Sequence, residues 1–177
     1  MQHKAIMREG IHTGYVCEQE WFTKRYERIT GNARKFDPRV FEYSPCGSRL
    51  LLVRDEQVTK LGSGLIIPDN TTAKNPPGSG YVIAVGDMVG QGTSPHPHGI
   101  RLTSPESLLY KRVIFGMFSG VEYITQPYHD GGFCTEYWIN TDRDLFFVDW
   151  SVEDKLAEVE FESKLQVRGL GAVLTEE

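Results

Sequence analysis

The sequence predicts an all-β fold, a small barrel or sandwich, on two observations. Short apolar runs rich in branched and aromatic residues recur along the chain at the length of strands. Stretches rich in glycine and proline separate these runs, and the chain contains 18 glycines and 9 prolines. No apolar run approaches the roughly 20 residues that a membrane-spanning helix needs. We therefore expect one compact β domain with shorter segments attached to it.

The two most apolar runs are expected to be buried strands. They are Leu50-Leu51-Leu52-Val53 and Tyr81-Val82-Ile83-Ala84-Val85-Gly86, the second of which is rich in branched residues and closed by glycine. A turn at Asp130-Gly131-Gly132 is expected to join two further strands into a hairpin. The other predicted strands lie at 108–110, 113–115, 121–124, 137–139 and 145–148, and the one at 137–139 is the outgoing strand of this hairpin.

The C-terminal stretch allows two interpretations. Ser151 and Asp154 have the spacing of a helix capping box, which favours a helix. From residue 157 to 167, however, apolar residues alternate with mostly charged ones, as in Ala157-Glu158-Val159-Glu160-Phe161-Glu162. A period of two sustained over this length is typical of a half-exposed strand. We therefore predict a turn at 151–155 and then a strand.

The residues before the first buried strand differ in composition. Residues 1–44 are polar, rich in charged and aromatic side chains, and end at Ser44-Pro45, a natural break. We expect them to form an extension with one short helix between Cys17 and Ile29. The basic residues in this region are interspersed with glutamates, which is typical of a solvated amphipathic segment.

The stretch 54–79 contains more turn residues than any other part of the chain. Its single apolar island is Leu65-Ile66-Ile67, with Gly62-Ser63-Gly64 before it and Pro68 after it. One interpretation of this tripeptide is a short buried strand. The other is a docking element that flexible flanks hold away from the barrel.

Charge, cysteines and the N-terminus limit the classes of function. A net charge of -5 and a pI near 5.6 argue against a dedicated nucleic-acid binder. Cys17, Cys46 and Cys134 are widely spaced and form no C-x-x-C pair, so neither a disulfide framework nor a zinc knuckle is indicated. The N-terminus has charges where a signal peptide needs an apolar core, so the expected location is the cytoplasm.

Several motifs occur in a characteristic order. Pro45-Cys46-Gly47-Ser48-Arg49 leads into the first buried strand, and the glycine-flanked tripeptide follows it. Residues 80–86 then have the pattern glycine, x, V, x, A, V, G. Apolar runs at 113–115, 145–148 and 154–159 close the series. In this order the motifs resemble the ten-kilodalton co-chaperonins of the GroES type, and the resemblance covers residues 45–162.

The chain also departs from that family. Tyr110-Lys111-Arg112 stands where co-chaperonins usually have a V-G-D turn. Residues 1–44, an apparent inserted hairpin at 125–140 and a tail at 163–177 are additional. An enlarged member of this kind resembles the co-chaperonins that bacteriophages carry, which would place it in the host cytoplasm.

The resemblance implies a GroES-like β-barrel with a mobile loop at 56–79 and a roof segment at 87–107. It further implies a ring of seven copies that caps a GroEL-type chaperonin over a folding substrate protein. ATP binds to that chaperonin, so no cofactor, metal or catalytic residue is expected here, and neither a nucleic acid nor a membrane is an expected partner. The residues implied to bind the chaperonin are Leu65, Ile66 and Ile67. The implied hinges of the loop are Gly62, Ser63, Gly64 and Pro68.

The residues allow two other interpretations. His96, His98, His129 and Cys134 have the chemistry of zinc ligands, but no second ligand pair has the usual spacing, which favours exposed loop histidines. The alternative function is a non-enzymatic structural or virion β protein whose loop binds another partner.

Overall fold

The computed structural model describes residues 3–55, 78–91, 100–116, 119–125 and 136–151. Helix α1 spans Gln19–Thr30. Within the described ranges there are also eight strands: β1 (His3–Arg8), β2 (Ile11–Cys17), β3 (Arg49–Arg54), β4 (Gly78–Gly86), β5 (Arg112–Phe115), β6 (Val121–Ile124), β7 (Glu136–Thr141) and β8 (Leu145–Asp149). Short 3-10 helices span Pro38–Glu42, Pro105–Leu108 and Asp142–Asp144.

The eight strands form one antiparallel sheet around β4. Their order is β1-β2-β4-β3-β7-β6, and β5 pairs with both β4 and β8. Strand β3 pairs with β4 from Gly80 to Val85. Because a strand has only two edges, β2 and β5 must share the other edge of β4. Strand β5 pairs with its first half and β2 with its last residues. The predicted all-β fold is confirmed.

Residues 82–85 of β4 form an uninterrupted apolar run because both faces of the strand are covered there. Consecutive residues of a strand point to opposite faces, yet Val82, Ile83, Ala84 and Val85 are all fully buried. Glycine is needed at position 80 for a separate, steric reason. A Cβ on Gly80 would collide with the carbonyl oxygen of Val53 on β3. Glycine there permits the close approach of the two strands at this position.

Residues 3–42 belong to the same sheet and core as the later strands. Strands β1 and β2 form a hairpin, and β2 pairs with the end of β4. Phe22 and Tyr26 of α1 pack edge-on against Phe36, with ring centroids 5.2 Å apart in both pairs. The helix predicted between residues 17 and 29 is confirmed, whereas the hairpin was not predicted. A domain boundary at residue 44 stays a prediction.

Most of the predicted strands are present, and one prediction is wrong. Residues 108–110 were predicted to be a strand, but Leu108 ends a 3-10 helix and Tyr110 lies in a turn with a φ of +69°. Their apolar character reflects burial rather than extension, since Leu108 and Leu109 are buried in that turn. Strand β7, which contains the predicted outgoing strand of the hairpin, pairs with β6. The turn predicted at 130–132 lies outside the described residues, as does the strand predicted at 157–167.

Candidate functional site

The predicted binding tripeptide Leu65-Ile66-Ile67 lies outside the described residues, as do its flanks Gly62, Ser63, Gly64 and Pro68. The structure does describe the two points between which this segment runs. The chain leaves the described region at Asp55, directly after β3, and returns at Gly78, where β4 begins. Gly78 and Ser79, the last two residues of the predicted loop, are therefore part of the strand.

The two ends of the segment lie side by side. Arg54 is paired with Gly80 across the β3–β4 ladder. The ladder is extended by one further bond, in which the backbone N–H of Asp55 donates to the carbonyl oxygen of Ser79 over 2.8 Å. Because the pairing is antiparallel, residues 56–77 depart from and return to neighbouring positions on one edge of the barrel.

Three polar side chains hold these ends together, and we call them the loop base: Asp55, Ser79 and Arg112. The Ser79 hydroxyl donates to Asp55 Oδ2 over 2.6 Å, and Arg112 Nε donates to the same oxygen over 2.8 Å. Arg112 Nη2 also donates to Ser79 Oγ over 3.1 Å. The three groups thus form a closed triangle that joins β3, β4 and β5 where the segment begins and ends.

The loop base is only partly exposed, which strengthens its charged hydrogen bonds. The side chains of Arg112 and Asp55 are 34% and 25% exposed. Burial by itself would lower the pKa of the Arg112 guanidinium, but the hydrogen bond and charge of Asp55 outweigh it and raise that pKa. Arg112 is therefore held as a cation opposite Asp55.

Tyr81 connects the loop base to the N-terminal helix. Its backbone is paired with that of Arg112, and its ring packs edge-on against Tyr26 of α1 with centroids 5.4 Å apart. Burial, and next the negative charge of Asp55, raise the pKa of the Tyr81 phenol to about 12. The aromatic layer of α1 therefore reaches the residue next to the loop base.

A separate groove of about 480 Å³ lies near the start of β3. Its lining is mostly apolar and comprises Tyr43, Ser44, Pro45, Cys46, Arg49, Leu50, Leu51, Tyr123 and Ile139. The hydroxyls of Tyr43 and Tyr123 are hydrogen-bonded to each other over 3.1 Å. This bond, followed by burial, raises the pKa of Tyr43 to about 12, so the Tyr43 phenol is protonated at neutral pH.

Metal-binding side chains do not converge in the described ranges. There, no three His, Cys, Asp or Glu residues lie close enough together to hold a metal ion. The sequence candidates His96, His98, His129 and Cys134 all fall in undescribed stretches. Cys17 is buried and Cys46 is exposed, and both are free thiols. No helix in the described part of the chain is long and apolar enough to cross a membrane.

Comparison with known proteins assigns the family. The family described as "Chaperonin 10 Kd subunit" matches residues 42–128. The co-chaperonin GroES of Sulfurovum sp. (strain NBC37-1) is 36% identical over 104 residues, which are 59% of this chain and 93% of that protein. The chain belongs to the chaperonin 10 family. The co-chaperonins GroES of Holospora obtusa and Caulobacter vibrioides (strain NA1000 / CB15N) are 38% and 35% identical over 81 residues, 46% of this chain and 76% of each relative.

The loop base lies within the part of the chain that matches the family. The matched range of this chaperonin 10 protein includes β3, β4, β5 and the segment between Asp55 and Gly78, so all three residues of the loop base fall inside it. The hairpin β1–β2 and α1 fall outside it. The loop base was missed from the sequence because Arg112 is 57 residues from Asp55. The one available signal was the charged pair Arg54-Asp55 at the end of an apolar run.

Proposed function

We propose that this protein is a co-chaperonin that caps a GroEL-type chaperonin as a ring and assists ATP-dependent protein folding. The segment 56–77 is the mobile loop, and Leu65, Ile66 and Ile67 are the side chains that dock on the chaperonin. Gly62, Ser63, Gly64 and Pro68 act as its hinges. The chain supplies no catalytic group or cofactor, because ATP binds to the chaperonin.

One observation carries the proposal beyond family membership. The segment with the tripeptide starts and ends at adjacent, hydrogen-bonded positions that the loop base holds together. A loop whose ends are fixed in this way can reorganise without disturbing the barrel, since no strand has to move with it. The fixed ends therefore support a docking role for this segment.

The energetics of such a loop favour several copies acting together. Burying three large aliphatic side chains contributes roughly 1.5–3 kcal/mol for each. Ordering the backbone costs about 1–2 kcal/mol per residue, so fixing only about five residues of the loop already offsets most of this gain and one loop binds weakly. Identical loops on one ring gain strength through their effective concentration while each contact stays reversible. The family resemblance favours a ring of seven in the cytoplasm, around an enclosed substrate protein.

The decisive experiment compares two aspartate substitutions in the same segment. Ile66→Asp places a charge in the apolar docking tripeptide, whereas Thr71→Asp places the same charge outside it. We expect Ile66→Asp to abolish ATP-dependent association with a GroEL-type chaperonin, measured by size-exclusion chromatography, and Thr71→Asp to retain it. Native mass spectrometry and circular dichroism should show the same ring and fold for both variants.

Two outcomes would contradict the proposal. If the unsubstituted protein does not associate with the chaperonin under any nucleotide condition, it is instead a structural β protein whose loop binds another partner. If Ile66→Asp unfolds the protein while Thr71→Asp does not, the tripeptide is a buried strand of the barrel and not a docking element.

A further inference from the structure

The turn that leads into β5 has a strained backbone. Tyr110 has a φ of +69°, in the left-handed region that favours glycine. A bulky residue in this conformation is held there by its surroundings, because the alternative right-handed conformation is lower in free energy. Such outliers persist only where the surrounding structure imposes the conformation. Tyr110 lies two residues before Arg112, the cationic member of the loop base.

Helix α1 supplies the contacts that hold Tyr110. The ring of Trp21 lies edge-on to that of Tyr110, with centroids 3.9 Å apart. The guanidinium carbon of Arg25 is 4.6 Å from the centre of the Trp21 ring and 5.4 Å from that of Tyr110. Arg25 and Tyr110 are only 8% and 7% exposed. Cation–π contacts shielded from water in this way are stronger than exposed ones.

Strand β2 of the hairpin contacts both the 3-10 helix before the turn and Val82, the residue of β4 to which the turn is bonded. Cys17, at the end of β2, is fully buried, and its thiol donates to the carbonyl oxygen of Val82 on β4. Strand β2 also contacts the 3-10 helix before the turn, and burial, followed by the charge and hydrogen bond of Glu106 on that helix, raises the pKa of Tyr15. The turn is bonded to β4 by Tyr110 N–H to Val82 O, 3.1 Å, and Val82 N–H to Lys111 O, 3.0 Å.

We propose that residues 15–26 are a strap that keeps residues 105–111, the 3-10 helix and the turn after it, against β4. The strap thereby positions Arg112 in the loop base. Two routes connect the strap to the loop base. One runs from Trp21 and Arg25 through Tyr110 to Arg112 along the chain. The other runs from Tyr26 to Tyr81, whose backbone pairs with Arg112. The residues before 42 thus support the site from outside the part of the chain that matches the family.

Hydrogen exchange of the intact protein tests the strap directly. The informative amides are those of Asp55, Val82 and Tyr110, which are bonded to Ser79, Lys111 and Val82 respectively. Trp21→Ala should increase their exchange rates at least tenfold relative to amides in the β3–β7 ladder. Lys24→Ala, on the exposed face of the same helix, is the matched control and should leave these rates unchanged.

A second variant covers the case in which Trp21→Ala does not fold. Arg25→Lys keeps the charge but removes the planar group that lies over both rings, and it should accelerate the same three amides severalfold. The proposal is wrong if the variant that folds leaves these amides unchanged or accelerates exchange uniformly across the sheet. The readout is the exchange of the protein itself, so it does not depend on whether a chaperonin binds.

Discussion

At the scale of single residues, the loop base shows how polar side chains hold together the residues on either side of the segment 56–77. Asp55 Oδ2 accepts hydrogen bonds from both Ser79 and Arg112, so one carboxylate oxygen joins three strands. Charge-assisted bonds of this kind are stronger than neutral ones, and partial burial reduces their screening by water. The same carboxylate also acts on the neighbouring Tyr81 phenol, whose pKa it helps burial to raise.

Tyr81 makes stability depend on pH in the alkaline range. The pKa of this phenol is about 12 in the folded protein and about 10 in an unfolded chain. The contribution of the protonated phenol to the free energy of unfolding is therefore fully present below pH 10. It is lost as the pH rises from 10 to 12. Denaturant unfolding across this window should show that Tyr81→Phe loses stability less steeply than the unsubstituted protein, by at most about 1.4 kcal/mol per pH unit. Identical slopes for the two proteins would mean that this phenol ionises freely in the folded state.

At the scale of elements, the spacing of β3 and β4 depends on a missing side chain. Gly80→Ala would place a Cβ against the Val53 carbonyl and the Leu52 side chain, so the two strands would have to separate. We expect a loss of about 1–3 kcal/mol in the free energy of unfolding, measured with urea. Gly116→Ala is the control, since its Cβ would meet only ordinary van der Waals contacts. Equal effects of both substitutions would argue against a close approach at Gly80.

At the scale of the whole molecule, the N-terminal segment is part of the fold. Strand β2 pairs with β4, and α1 adds Phe22 and Tyr26 to the common core. Removal of residues 1–44 should therefore expose apolar surface of β4 and the rings that α1 covers. We expect the truncated protein to bind the dye ANS and to unfold without a cooperative transition. A cooperative transition at an unchanged midpoint would show that the segment is dispensable, as its composition suggests.

The sequence-based predictions were accurate where a structure depends on residues close together in the sequence and failed where it depends on distant ones. Strands β3 and β4 were predictable because their residues are apolar on both faces, which a run of letters reveals directly. The prediction of a strand at 108–110 was wrong because Leu108, Leu109 and Tyr110 are buried in a turn. Composition does not distinguish a buried turn from a buried strand. The pairing of Asp55 with Arg112 was out of reach, since nothing local connects them.

The sequence by itself determined the all-β class, helix α1, the family and the docking tripeptide as a prediction. Each of these depends on patterns within a few residues or on motifs in a fixed order along the chain. Only the tertiary structure decided that the ends of the segment 56–77 are held by three side chains from three strands. It alone decided that residues 3–42 share the core, because packing against β4 is what buries their aromatic rings. The left-handed backbone conformation of Tyr110 was also decided only by the tertiary structure. It is imposed by contacts with a helix more than eighty residues away along the chain.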